Sequence, residues 1–196
     1  MLVDFIAGAR PNFMKIAPML KAIKKYSINV IKYRLIHTGQ HYDRNMSGTF
    51  FEQLGIPEPN VNLGAGGGTQ AEQTAKIMVG YEGLLLKEPC DLCMVVGDVT
   101  STMACSITAK KLNIRVAHVE AGIRSGDMTM PEEINRILTD SISDYFFTTS
   151  ENANQNLRKL GVSESRIFFV GNTMIDTLLA NVARFQKPYF WDKHLL

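Results

Sequence analysis

Cysteine is scarce in this chain of 196 residues: there are three, an odd number too small for a disulfide framework. Cys90 and Cys93 form a C-x-x-C, but neither Cys105 nor the four scattered histidines supplies a second ligand pair at zinc spacing. The thiols are therefore expected to be buried or at a strand edge, in a reducing compartment. No run of about 18 apolar residues exists, so no spanning helix is expected. The opening MLVDFIAGAR is interrupted by Asp4 and Arg10 and has no basic segment before it, which does not read as a signal peptide. A cytoplasmic location is the expectation. Charge of one sign is also lacking: 21 Lys and Arg face 19 Asp and Glu, and a net +2 gives no reason to expect nucleic acid or a membrane surface as partner. There is no G-x-G-x-x-G, no Gly-Lys-Ser/Thr loop, no repeat and no low-complexity tract. Dinucleotide and P-loop chemistry therefore have no sequence support.

What is present is a soluble-type composition, 45% hydrophobic and 20% charged, with enough length to bury a sizeable core. Short apolar runs alternate with longer helical patterns. Strands are expected over 3–7, 29–37, 92–96, 114–119, 145–148 and 166–170. Helices are expected over 11–26, 44–54, 69–87, 101–112, 131–143 and 151–160, with a last one starting near residue 173. Strands that are apolar throughout imply burial on both faces. Regular alternation with helices implies an α/β fold with a doubly wound, Rossmann-like parallel sheet, whose ligands bind at the carboxyl ends of the strands.

Four post-strand segments are informative. The first, over 8–15, is Gly-Ala-Arg-Pro-Asn-Phe-Met-Lys. Pro11 suits the first turn of a helix, which places Arg10 and Lys15 at or near its N-terminus, where anions bind. Solvated surface charge is the other reading of both. The second, over 64–72, is glycine-rich and ends in Thr69 and Glu72, a capping box. Its glycines are either a loop that folds over a substrate or a plain connection.

The third, over 95–101, places Asp98 at the end of a buried strand, as either a helix cap or a catalytic carboxylate. The fourth runs from His118 through Glu120 to Ser125, followed by Met130 to Arg136. Glu120 ends a buried strand. Glu132 and Glu133 open a helix, where acids suit the dipole. Asp98, Glu120 and Glu132 are expected to converge on one sheet edge. Carboxylates held close raise one another's pKa, which suits general acid/base work. No Ser or Cys elbow accompanies His118, which is read as structural.

The segments GARPNFMKIAP, TGQHYD, GDVTSTMA, HVEAGIRS, MPEEINR and VGNTMIDTL, in this order from residue 2 to about residue 179, resemble the non-hydrolysing UDP-N-acetylglucosamine 2-epimerases. The resemblance implies the N-terminal half of a two-domain GT-B fold. Residues 1–172 would be the Rossmann-like domain and 173–196 an interdomain helix and tail, with the second domain absent. It implies interconversion of UDP-GlcNAc and UDP-ManNAc by anti elimination of UDP and syn re-addition. No redox cofactor and no metal are implied.

By the same resemblance, Asp98, Glu120 and Glu132 are the catalytic carboxylates, and Arg10 and Lys15 bind substrate near the nucleotide phosphates. The full-length enzyme is implied to be a homodimer, with a place in cell-surface polysaccharide biosynthesis. Ala9 stands where the family usually has Thr. Gln40 matches an activator-site residue, whereas Asp43 stands where a second amide is expected. The aromatic residues Phe185, Tyr189, Phe190 and Trp191 are candidates for apolar association or for packing back on the chain.

Overall fold

The computed structural model describes residues 1–27, 29–39, 51–52 and 54–184. Gln40, Asp43, Phe185, Tyr189, Phe190 and Trp191 lie outside these residues, as does most of the helix expected over 44–54. The strands are β1 (Leu2–Ala7), β2 (Lys32–His37), β3 (Val61–Asn62), β4 (Leu92–Val96), β5 (Arg115–Val119), β6 (Tyr145–Thr148) and β7 (Ile167–Phe169). The helices are α1 (Arg10–Tyr26), α2 (Gln70–Lys87), α3 (Thr100–Lys111), α4 (Pro131–Ile142), α5 (Glu151–Lys159) and α6 (Thr173–Asn181). The seven strands form one parallel sheet in the order β3-β2-β1-β4-β5-β6-β7.

This is the doubly wound layer that the alternation implied. Strand β3 was not foreseen. It has two residues, paired to Ile36 and His37, and is too short to show a period.

Alternation along β1 explains why helices cover both faces. Val3, Phe5 and Ala7 pack with Phe13, Ile16, Ala17 and Leu20 of α1. Ile6 points the other way, to Ile77, Tyr81 and Leu85 of α2 and to Ala104, Cys105 and Ala109 of α3. The apolar positions of α1 fall at i, i+3, i+4 and i+7, one face of a helix. Helix α3 is nearly buried all round, and its small side chains permit this. Three of its hydroxyls are satisfied locally: Thr102 Oγ1 donates to the Val96 carbonyl at 3.0 Å, Ser106 Oγ to the Thr102 carbonyl at 2.7 Å and Thr108 Oγ1 to the Ala104 carbonyl at 2.9 Å.

The capping box at α2 is formed. The Thr69 backbone N–H donates to Glu72 Oε2 at 2.7 Å, and the Glu72 N–H donates to Thr69 Oγ1 at 3.2 Å. The glycine-rich loop ahead of it is tied to the end of β2, where the Ala65 N–H donates to the Thr38 carbonyl at 2.8 Å. Helix α6 lies along α1, and Thr177 Oγ1 donates to the Met14 carbonyl at 2.6 Å.

All three cysteines are free and buried. Burial, with the Asp4 charge behind it, pushes the Cys90 thiol up to about 12. Burial also raises Cys93 and Cys105. No helix among the described residues is long and apolar enough to cross a membrane.

The winding direction reverses at β1. From there the chain builds outward through β2 and β3, then returns to β4 and proceeds through β5 to β7. Connections in such sheets keep one hand, so reversal puts α1 on the opposite face from α2 and α3. At the reversal the loops after β1 and β4 diverge and leave a crevice at the carboxyl ends of the strands.

Candidate functional site

Three loops and the first turns of α4 meet at that crevice. After β1, Asn12 organises the turn. Its Oδ1 accepts from the Gly8 and Ala9 backbone N–H groups at 3.0 and 2.9 Å, and its Nδ2 donates to the Val96 carbonyl at 2.9 Å. Asn12 is buried and joins the β1 loop to the last residue of β4. Arg10 is exposed at the first position of α1. Lys15 lies one turn further on and is largely buried, with 11% of its side chain exposed. Its ammonium is ion-paired with Glu120. Lys15 is therefore neither a solvated charge nor a bare cation at a helix end.

After β4, Gly97 adopts φ +71° and its N–H donates to the Val119 carbonyl at 3.0 Å. A Cβ at Gly97 would lie 3.2 Å from Lys15 Nζ and 3.3 Å from Glu120 Oε2, so the ion pair sits directly over this residue. Asp98 comes next. The residue capping α3 is Val99, without a side-chain cap bond, so the capping reading of Asp98 does not hold. Its carboxylate instead accepts from Arg136, and its carbonyl accepts from Asn135 Nδ2 at 2.8 Å.

After β5, Glu120 has φ +74°, a left-handed conformation that costs a non-glycine residue energy. The N–H groups of Glu120 and Ala121 both donate to the Phe147 carbonyl, at 2.9 and 3.1 Å, which holds the turn. Its carboxylate is thereby aimed back over β4.

Helix α4 closes the site. Glu132, Arg136 and Asp140 are spaced i, i+4, i+8 and share one stripe. Arg136 reaches Asp98, and its Nη1 donates to Glu133 Oε2 at 3.0 Å. Glu132 is half-buried, with no hydrogen-bond or ion-pair partner among the described residues.

Glu133 is almost fully buried and does more than suit the helix dipole. It accepts from the Ser125 and Gly126 N–H groups at 3.0 and 3.1 Å, anchoring the loop before α4. Burial would raise its pKa, but these two N–H groups and Arg136 outweigh burial and hold it down at about 2. His118 is fully buried between the Asp140 carboxylate and the Gly97 carbonyl.

The three expected carboxylates thus sit on adjoining elements at one sheet edge: Asp98 after β4, Glu120 after β5 and Glu132 in the first turn of α4. Cations lie between them. Lys15 takes Glu120 and Arg136 takes Asp98, so the charges alternate rather than repel. Sequence reasoning missed Asn12 and Asp140, whose bonds to Val96 and His118 span 84 and 22 residues and leave no local pattern. It read Glu133 only as a dipole acid and gave Arg136 no role. Their place in the MPEEINR segment was the one available signal. Among the described residues no group of three or more His, Cys, Asp or Glu is placed to hold a metal ion.

A family model described as UDP-N-acetylglucosamine 2-epimerase matches residues 21–195. A UDP-N-acetylglucosamine 2-epimerase of Methanocaldococcus jannaschii is 46% identical over 187 residues, which are 95% of this chain and 50% of the relative. A UDP-2,3-diacetamido-2,3-dideoxy-D-glucuronate 2-epimerase of Pseudomonas aeruginosa is 44% identical, over 93% of this chain and 52% of the relative. The crystal structure of the M. jannaschii UDP-GlcNAc 2-epimerase in complex with UDP-GlcNAc and UDP superposes with a TM-score of 0.90 at 45% identity, covering 99% of this chain and 53% of that one. The chain spans about half the length of the curated relatives it matches. With the family model covering nearly all of the sequence, the chain belongs to the UDP-N-acetylglucosamine 2-epimerase family.

Proposed function

We propose that this chain supplies the acid/base wall of an epimerase that interconverts UDP-GlcNAc and UDP-ManNAc. The observation that carries the reading is the alternating cluster of Asp98, Glu120, Lys15 and Arg136 at the switch point of the sheet, with Glu132, which has no partner among the described residues, on the adjoining helix. A carboxylate of the cluster takes the C2 proton of the sugar as the C1–O bond breaks and UDP leaves with the bonding pair. The product is 2-acetamidoglucal. A phosphate oxygen of UDP then re-adds at C1, and C2 regains a proton on the opposite face. Arg10, at the mouth of the crevice, and Lys15 carry positive charge toward the leaving diphosphate.

The boundary near residue 172 is part of the proposal. There the chain leaves the sheet and α6 leads toward a second, UDP-binding domain. The relatives' double length supports this division. Three buried thiols fit a reducing compartment, and we place the activity in the cytoplasm, in supply of nucleotide sugars for cell-surface polysaccharide. A homodimer is proposed for the full-length enzyme. The Pseudomonas aeruginosa relative favours one second reading, a modified UDP-sugar as substrate.

The 196-residue chain alone is expected to show no turnover and to bind UDP in the millimolar range or more weakly, roughly −4 kcal/mol at best. Measurable conversion, or micromolar binding by calorimetry, would contradict this. The activity itself is tested in a chimera with the C-terminal half of the M. jannaschii relative, incubated with UDP-GlcNAc in D2O. Deuterium should enter C2, and Asp98→Asn, Glu120→Gln and Glu132→Gln should each lower kcat by about 100-fold or more. A folded, UDP-binding chimera without C2 exchange refutes the epimerase reading. Preferential turnover of UDP-2,3-diacetamido-2,3-dideoxy-D-glucuronate would select the second.

A further inference from the structure

We propose that His118 and Asp140 form a buried positioning pair that sets the geometry of Asp98 and Glu120. The inference rests on the reading that those two carboxylates handle the C2 proton. The His118 ring is fully buried and both its nitrogens face acceptors. Nε2 lies 2.8 Å from the Gly97 carbonyl, which can only accept. Nδ1 lies 2.7 Å from Asp140 Oδ1. The other oxygen, Asp140 Oδ2, accepts from the Gly122 N–H at 3.0 Å and from Arg124 Nη1 at 2.7 Å. Asp140 is thus an acceptor on every side, and both ring nitrogens of His118 donate. Burial would raise the Asp140 pKa; the His118 charge and hydrogen bond, with Arg124, hold it down.

The pair ties three elements at their functional ends. Gly97 is one peptide before Asp98. Gly122 is two residues after Glu120. Asp140 lies on the α4 stripe that carries Glu132 and Arg136. Gly97, Glu120 and Gly122 have φ of +71°, +74° and +79°. The two glycines adopt this conformation freely, but Glu120 holds it only where the surroundings over-determine it. The strand ladders end at the preceding residues, and the His118–Asp140 pair supplies ties beyond them. An apolar side chain of similar volume would fill this core position without burying charge. Orientation of the two loops is what the charged pair adds to packing. His118 and Asp140 touch no substrate in this scheme and act through Asp98 and Glu120.

The test uses NMR of this chain and turnover of the chimera. In the wild type, both His118 ring nitrogens should carry protons, and a bare Nδ1 would overturn the proposal whether or not any variant folds. Asn places its amide nitrogen near that of imidazole Nδ1, and Gln near Nε2. His118→Asn should speed amide exchange at Gly97, whose N–H donates to the Val119 carbonyl at 3.0 Å, by about tenfold or more, leaving Gly122 protected, whereas His118→Gln should do the reverse. Asp140→Asn should loosen the Gly122 side, spare amides of β1 and β2, and lower chimera kcat by about tenfold with KM within about twofold. Uniform acceleration across the sheet, or a fall in stability without a change in kcat, would reduce the pair to a structural role and overturn the inference. Absence of C2 exchange in the wild-type chimera would remove the epimerase reading instead, a failure distinct from that of the pair.

Discussion

Lys15 and Glu120, 105 residues apart in the chain, form an ion pair across the carboxyl end of β4. The pair is more than four-fifths buried, with side chains 11% and 19% exposed. Either partner alone would be a poorly solvated charge. Lys15→Met and Glu120→Gln should each destabilise the chain by about 1–3 kcal/mol, with a favourable coupling of about 0.5–3 kcal/mol in the double-mutant cycle. Urea denaturation of the four proteins checks this. Additive losses would show that the pair carries no coupling.

Gly97 lies beneath that pair in a left-handed conformation. Gly97→Ala adds a methyl group 3.2 Å from Lys15 Nζ and 3.3 Å from Glu120 Oε2. The strained φ alone should cost about 1–3 kcal/mol. The thermal midpoint should fall, and the Lys15 and Glu120 side-chain resonances should shift. An alanine variant as stable as the wild type would contradict the assigned geometry.

Glu133 makes stability depend on pH in a defined window. Its pKa is lowered in the folded protein, from an ordinary 4.5 to about 2, against burial and because two backbone N–H groups and Arg136 favour the anion. A depressed carboxylate stabilises above its unfolded pKa and loses that contribution as pH falls through the folded one. Wild type should therefore exceed Glu133→Gln by roughly 1–3 kcal/mol above pH 4.5, with the gap closing toward pH 2. Denaturant midpoints measured across this range decide it. A gap that is constant with pH would mean the anion is not what Glu133 contributes.

Away from the site, Asp4 and Arg34 are register partners on β1 and β2, joined by two hydrogen bonds of 2.8 and 2.9 Å. Tyr81 Oη donates to the same carboxylate at 3.0 Å. Arg34→Met leaves the buried Asp4 carboxylate without its cation and should cost about 3–5 kcal/mol, whereas Asp4→Asn should cost less, because Arg34 Nη1 keeps its partner Glu88 Oε2 at 2.9 Å. Replacing both with apolar residues of similar volume should cost far less than Arg34→Met alone. Equal losses in Arg34→Met and the double variant would refute this account.

Much of the architecture was legible because burial on two faces leaves a plain mark: apolar strands alternate with helices of period 3.6. Acids at strand ends marked Glu120 and Asp98, the latter with a helix cap as its other reading. Strand β3 was not legible, being two residues long. The roles of Asn12, Glu133 and Asp140 were hidden for a different reason. Asn12 resembles any helix-start amide, and Glu133 any first-turn acid, until the residues opposite them are known.

Hydrophobic periodicity and turn chemistry, both properties of neighbouring residues, were enough to specify the parallel layer, its burial and the edge where polar side chains gather. Pairing was decided only in three dimensions. Which cation meets which carboxylate, and which buried ring holds which carbonyl, depends on side chains brought together across the β1–β4 reversal from distant parts of the chain. Hydrogen bonds and ion pairs act over a few ångströms of space. Spacing along the sequence does not encode that separation.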